Sequence, residues 1–157
     1  MAEKEVILSK EKYEELKKEL DYLQNVKRSE VAAKIKAARE FGDLSENAEY
    51  DEAKEEQGFV EGEIRAIQYK IRNAVIIDTN ANKGVVSLGN SVKVFDEDFD
   101  EEVVYTIVGS EEVDLSENKI SNESPIGAAL LDKKPGDVAL VQIPDGVAKL
   151  KVLEILE

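Results

Sequence analysis

Two carboxylates near the middle of the chain, Asp43 and Glu46, are the residues best suited to chemistry. They lie three residues apart within residues 42–47, the tip, which reads GDLSEN. Mg²⁺ is commonly held by one or two protein carboxylates, with water and substrate phosphates completing its shell. The chain contains no Cys and no His, which excludes thiolate metal sites and a histidine general base. Because a third ligand is missing, the pair could not easily form a metal site alone, but it could complete a metal site of another molecule.

The same residues also fit a purely structural role. Gly42 suits the left-handed position that ends a helix. Asp43 is a good N-cap, and Glu46 then stands at the third helical position, as a capping box requires. Further carboxylates follow the tip, and helix capping does not require them. They also repel one another, which costs stability. They are Glu49, Asp51, Glu52, Glu55 and Glu56. Both interpretations stay open at this point.

Two amphipathic segments flank the tip and predict a helical hairpin. Residues 10–41 follow Ser9, an N-cap candidate, and carry apolar residues at steps of three and four, with a slip near residues 26–31. The second segment keeps this spacing to residue 74, and Gly58 and Gly62 within it predict close approach of the partner helix. So short a link between long helices folds them antiparallel.

The remaining residues predict a small sheet. Short β-branched runs at residues 75–77, 85–86, 92–95 and 103–108 are separated by turn-forming residues. Ser124 and Pro125 predict the start of a short helix through residue 131. Residues 138–143 and 147–155 predict a final hairpin. The fold class is therefore α+β, with an antiparallel coiled-coil hairpin in residues 1–75 and an antiparallel sheet domain in residues 76–157.

The net charge of the chain restricts which classes of function are plausible. The net charge of −14 argues against autonomous binding to duplex nucleic acid, which usually needs a basic surface. Residues 24–41 are the exception, because they are locally basic. No stretch resembles a membrane span or a signal peptide, so we expect a cytoplasmic protein. The cations of this basic strip are Lys27, Arg28, Lys34, Lys36 and Arg39.

Two blocks of the sequence resemble a known family. Residues 38–62 fit the pattern ARxxGDLSENAEYxxAKEEQGFxEG, which resembles the signature of the Gre family of bacterial transcript cleavage factors. Residues 120–131, ISNESPIGAALL, followed by Gly136 and Asp137, resemble the family's C-terminal domain. The resemblance covers essentially the whole chain. It implies that residues 76–157 form an FKBP-like domain that binds bacterial RNA polymerase.

The resemblance also implies a mechanism. The hairpin would enter the secondary channel of the polymerase while the second domain holds the channel rim. Asp43 and Glu46 fall on the family's two tip acids, which help hold the second Mg²⁺ and orient the attacking water. The polymerase then cleaves its own backtracked nascent RNA. The chain would be a monomer without enzymatic activity or a cofactor of its own, since Mg²⁺ belongs to the polymerase active site.

Further site residues follow from the same resemblance, and each has a structural alternative. Lys36, Arg39 and Lys54 would steer RNA, or be solvated charges on the helix surface. Ser124, Pro125 and Ile126 would contact polymerase, or only cover the sheet. The sequence departs from the family pattern at Ser29, which replaces a proline, at Asp132, which replaces a glycine, and in a final strand without the usual tyrosine. Residues expected to support the tip are Gly42, Leu44, Ser45, Asn47 and Tyr50.

Two rival functions stay open beside this one. A paralogue could enter the same channel and inhibit the polymerase, although the intact GDLSEN run argues against it. A coiled-coil chaperone or prolyl isomerase would also show an exposed hairpin and an FKBP-like domain. An isomerase pocket should be lined by aromatic residues, and residues 76–157 contain only Phe95, Phe99 and Tyr105.

Overall fold

The computed structural model describes residues 4–41, 47–77 and 84–156. The chain divides into two compact units, one built on Tyr13–Ala74 and the other on Glu5–Lys12 together with Val75–Glu157. None of the helices in the described ranges is long and apolar enough to cross a membrane. The helices are α1 (Lys10–Tyr22), α2 (Arg28–Arg39), α3 (Ala48–Arg72) and α4 (Pro125–Leu130). The strands are β1 (Val6–Leu8), β2 (Ala74–Ile76), β3 (Ser91–Asp96), β4 (Glu101–Val108), β5 (Lys119–Ser121), β6 (Val138–Ile143) and β7 (Gly146–Leu156).

The predicted helical hairpin is confirmed. Ser9 caps α1, because its Oγ accepts a hydrogen bond of 3.1 Å from the Lys12 N–H. The apolar positions form a buried seam, in which α2 packs against α3. The buried members are Leu16, Leu23, Val31, Ile35 and Ala38 on the first arm, and Ala53, Val60, Ile64 and Ile67 on the second.

The predicted slip in the first arm is a π-helical turn. It spans Leu23–Lys27, and the Arg28 N–H donates to the carbonyl of Leu23, five residues earlier. Such a turn accommodates one extra residue, which lets Leu23 and Val31 both face the seam although eight residues separate them. It ends two residues before Ser29, so the irregularity of this arm does not require a proline.

Two details of the second arm differ from the sequence-based expectation. The predicted close approach at Gly58 and Gly62 is wrong, since a Cβ added at either residue would meet no atom within 4 Å. The helix ends at Arg72, with Asn73 as its C-cap. Ala74 therefore belongs to β2, although it continues the apolar spacing of the helix.

The second unit contains a five-stranded sheet in the order β5-β4-β3-β7-β6. The pairs β3–β4, β3–β7 and β6–β7 are antiparallel, as predicted. The pair β4–β5 is parallel, so the sheet is mixed. Short 3₁₀ turns at Ser110–Glu112 and Leu115–Glu117 carry the chain back between these two strands. The α+β class is confirmed, with α4 adjoining β5 and β6.

Residues 85–86 are not the predicted strand. Instead, the Val86 carbonyl accepts from the Asp132 N–H at 2.8 Å, and the Val86 N–H donates to the Lys133 carbonyl at 2.9 Å. The Val86 side chain is fully buried in the core. At Asp132 the backbone has a φ of 67°, a left-handed conformation that favours glycine and is tolerated by aspartate. This accounts for the glycine of the family pattern at this position.

Strand β1 also belongs to the second unit. Its Leu8 is fully buried, and the Leu8 carbonyl accepts a bond of 2.9 Å from the Ile77 N–H. A Cβ added at Gly109 would lie 2.2 Å from the Ile7 carbonyl oxygen, so only glycine permits this contact. The second unit is therefore built from both ends of the sequence.

Candidate functional site

The candidate chemical residues belong to the connection between α2 and α3. Gly42, Asp43, Leu44, Ser45 and Glu46 lie outside the described residues, and their predicted roles stay predictions. The structure describes the two helix ends that carry this segment. Helix α2 closes at Glu40, whose N–H is shared between the carbonyls of Lys36 and Ala37 at 3.3 and 3.2 Å.

Asn47 begins the second helix. Its Oδ1 accepts from the Tyr50 N–H at 3.1 Å, and its own carbonyl accepts from the Asp51 N–H at 3.1 Å. Its backbone is extended, with φ −91° and ψ 95°, as expected of an N-cap. The N-cap of α3 is therefore Asn47 rather than the predicted Asp43, and the predicted capping box between Asp43 and Glu46 lies outside the described residues.

The same side chain also binds the first helix. Asn47 Nδ2 donates to the carbonyl of Ala38 at 2.6 Å. The Asn47 side chain thus binds an N–H in the first turn of α3 and a carbonyl in the last turn of α2. N–H groups at the start of a helix and carbonyls at its end lack hydrogen-bond partners within the helix. The sequence assigned Asn47 to tip support; it could not show the bond to Ala38, which is a contact between helices.

Arg39 and Tyr50, both predicted site residues, come together beside this bond. The Arg39 guanidinium carbon lies 5.9 Å from the centroid of the Tyr50 ring, within the range of a cation–π contact. Arg39 is exposed and Tyr50 is half-buried. The contact holds the Arg39 charge near the hairpin end.

Most of the basic strip is used to join the two arms. Lys27 and Lys34 both pair with Glu56, at 3.2 and 3.1 Å. Arg28 donates two hydrogen bonds of 2.8 Å to the carboxylate of Glu61. Hydrogen bonds from Lys34 and then Lys27 lower the pKa of Glu56 below its ordinary value. The bonds from Arg28 likewise lower the pKa of Glu61.

The three residues predicted to steer RNA are all exposed: Lys36 and Arg39 on α2, and Lys54 on α3. Lys54 Nζ donates to Gln57 Oε1 at 3.0 Å, one turn along the same helix. Lys27, Arg28 and Lys34 instead bind carboxylates of α3. The predicted RNA-steering role therefore fits these three exposed residues better than it fits Lys27, Arg28 or Lys34.

A groove of about 350 Å³ lies between α2 and α3 near the hairpin end. Its charged lining consists of Glu49, Glu52, Glu56 and Lys34. Three carboxylates against one ammonium disfavour binding of a phosphate. Within the part of the chain that the structure describes, no group of three or more Asp, Glu, His or Cys residues could hold a metal ion.

The predicted polymerase contact lies at the start of α4. Ser124 Oγ accepts from the Gly127 N–H at 3.0 Å and donates to the Ser121 carbonyl at 2.6 Å, which confirms the predicted N-cap. Pro125 is exposed, whereas Ile126 packs against the core of the sheet. Ser124 and Ile126 therefore have structural roles, and Pro125 is the most accessible of the three.

Two family models and a solved structure match the chain. Residues 6–76 match the family model described as transcription elongation factor, N-terminal. Residues 81–157 match the model described as transcription elongation factor, GreA/GreB, C-term. The solved structure of GreA factor homolog 1 of Thermus thermophilus is 28% identical with a TM-score of 0.45, and the match covers 98% of this chain and 100% of that one.

Two relatives match at higher identity. Transcription elongation factor GreA of Thermoanaerobacter pseudethanolicus is 59% identical over 153 residues, which is 97% of this chain and 98% of the relative. The protein of the same name from Clostridium botulinum strain Langeland is 54% identical over 97% of this chain and 96% of its own. These matches confirm the resemblance of the two sequence blocks and set aside the chaperone and prolyl isomerase alternative. The chain belongs to the GreA/GreB family of transcription elongation factors.

Proposed function

We propose that this elongation factor binds bacterial RNA polymerase and stimulates the polymerase's own cleavage of backtracked nascent RNA. The observation that carries the proposal is the N-cap of α3. Asn47, rather than Asp43 or Glu46, caps this helix, so the start of α3 does not account for the two acids. For the two acids of the GDLSEN run, donation to a metal site of the polymerase is the function that the resemblance supplies.

The donor set suits this function. Asp43 and Glu46 would hold the second Mg²⁺ together with polymerase groups, since oxygen ligands are those that Mg²⁺ prefers. Mg²⁺ bound there supplies a water of lowered pKa and stabilises charge on the reacting phosphate. The two carboxylates need no pocket of their own, because the polymerase provides it. The factor itself then requires no nuclease activity.

In this proposal the hairpin and the second unit have different roles. The hairpin enters the secondary channel and presents the tip, while the second unit binds the channel rim. Pro125, exposed at the start of α4, is the proposed contact, with Ser124 and Ile126 fixing its position through the cap and the core. The factor acts as a monomer in the cytoplasm.

The test is a stalled, backtracked polymerase complex with labelled RNA. Asp43→Ala with Glu46→Ala should abolish stimulated 3′ shortening while binding to polymerase persists. Glu49→Ala with Glu52→Ala is the matched control, because these exposed carboxylates have the same spacing and the same charge change. Cleavage that continues in the first variant, or fails equally in the control, would contradict donation by the tip acids.

The same assay decides on the inhibitory alternative. A channel-binding inhibitor would slow elongation by the complex without shortening the RNA. We expect shortening, because the GDLSEN run is intact. Slower elongation with RNA of unchanged length would favour the inhibitor.

A further inference from the structure

We infer that Asn47 is a positioning residue for the tip acids, acting through its bond to the last turn of α2. The inference rests on the proposed function, since it assigns Asn47 a part in the same reaction. Asn47 would not touch RNA or Mg²⁺. It would fix the separation of the two helix ends between which Asp43 and Glu46 lie.

The side chain of Asn47 makes one hydrogen bond more than capping requires. A cap needs only an acceptor for an N–H of the first turn, and Ser or Asp supplies one about as well as Asn. Here Oδ1 meets that need through Tyr50. Nδ2 makes the additional bond of 2.6 Å to Ala38, nine residues earlier in the chain. Asp has no donor, and Ser would have to make both bonds from a single hydroxyl oxygen, whereas Asn has a separate acceptor and donor. The bond to Ala38 therefore suits Asn better than either.

A second contact supports the same junction. The Tyr50 residue whose N–H binds Asn47 also has the Arg39 guanidinium over its ring, at 5.9 Å. The last turn of α2 and the first turn of α3 are thus joined by a hydrogen bond and by a cation–π contact. The tip segment starts and ends on helix ends whose spacing is set by these two contacts.

Spacing matters because the acids must meet groups on another molecule. Misplacement of a catalytic group by 1 Å can lower a rate by about 100-fold. Loss of the bond to Ala38 would allow the helix ends to separate without unfolding the seam behind them, where Val31, Ile35 and Val60 are buried. The expected defect is therefore in the rate of cleavage rather than in folding or in polymerase binding.

The test compares Asn47→Ser and Asn47→Asp, which keep a cap but lose the Nδ2 donor. The control is Asn73→Ser, which removes the bond of 2.9 Å from Asn73 Nδ2 to the Tyr69 carbonyl, a bond to the same helix at the other end of α3. Full-length variants are titrated against backtracked polymerase complexes. The cleavage rate at saturating factor and the half-saturating concentration are measured separately, together with Tm and amide hydrogen exchange of the free protein.

Both Asn47 variants should lower the saturating cleavage rate by at least about tenfold. The half-saturating concentration should stay within about twofold of the wild-type value. Tm should stay within about 4 °C, which corresponds to roughly the loss of one hydrogen bond in a chain of this size. Exchange should quicken at Phe41, whose N–H also donates to the Ala38 carbonyl, whereas Asn73→Ser should leave the cleavage rate unchanged.

A saturating rate equal to wild type in either Asn47 variant would overturn the inference, as would an equal loss in Asn73→Ser. A defect that appears only in the half-saturating concentration would also overturn it. Failure of the proposed function has a different signature, since the wild-type factor would then stimulate no cleavage, or Asp43→Ala with Glu46→Ala would leave stimulation intact.

Discussion

Deletion of Asn25 from the π-helical turn should leave the hairpin folded and active. Asn25 is exposed and its side chain donates to Asp21 on the same helix surface, at 2.7 Å. An α-helix turns by about 100° per residue. The eight residues from Leu23 to Val31 would therefore turn about 800° in a regular α-helix, which places Val31 about 80° away from the seam. The wide turn at Leu23–Lys27 absorbs this excess.

Removing one residue leaves a seven-residue step of about 700°, which lies only about 20° from two full turns. Val31 and Ile35 then stay on the seam in a regular helix. Deletion of Ala33, an exposed residue of α2, is the matched control. It should rotate Ile35 by about 100° away from the seam. Loss of the burial of Ile35 alone would cost about 2 kcal/mol.

The assay is denaturant unfolding combined with RNA cleavage by backtracked complexes. Deletion of Asn25 should change the free energy of unfolding by less than about 1 kcal/mol, and cleavage should persist, whereas deletion of Ala33 should cost at least about 2 kcal/mol. Equal destabilisation by the two deletions would refute the reasoning. The π-helical turn would then be required for packing rather than a means of accommodating an extra residue.

Two further predictions concern charge. Lys36→Glu with Lys54→Glu should reduce cleavage most in extensively backtracked complexes and at low salt, because longer extruded RNA offers more phosphates; an equal loss on short and long backtracks, independent of salt, would show that these are only solvated charges. The pKa of Glu56 and of Glu61 is lowered by cationic partners, so their stabilisation is present above the unfolded carboxyl pKa of about 4.3 and is lost as pH falls below it. The Tm difference between wild type and Glu56→Gln with Glu61→Gln, measured from pH 7 to pH 3, should therefore shrink on acidification, and a constant difference would contradict this.

The parts of the fold that the sequence predicted are those set by local pattern. The apolar spacing of α3 and the alternation of β6 and β7 depend on which residues face a core, and this can be read from neighbours in the chain. The irregularity near Val26 was visible as a change of phase. Its nature was not, because periodicity reports the direction of side chains and not which carbonyl each N–H reaches.

The parts that the sequence missed depend on distant residues. Strand β5 has only three residues, and its parallel pairing with β4 is a long-range contact. Residues 85–86 have strand-like composition, but Val86 pairs with the chain after α4. Several residues of the GDLSEN run could cap a helix on type alone. The bond from the Tyr50 N–H to Asn47 identifies the N-cap of α3, and the bond from Asn47 to Ala38 is a contact with the preceding helix.

Because Asn47 caps α3, the residue that starts this helix is not one of the two acids proposed to bind metal. A carboxylate that caps a helix accepts its N–H groups, which favours its charged form but occupies the lone pairs that a metal would need. Asn47 is neutral and supplies the acceptor for the Tyr50 N–H. Helix α3 therefore does not depend on a tip carboxylate for its start. Replacement of Asp43 and Glu46 by Ala should leave the α3 cap intact, so a loss of cleavage in that variant measures the function of the carboxylates rather than unfolding of the hairpin.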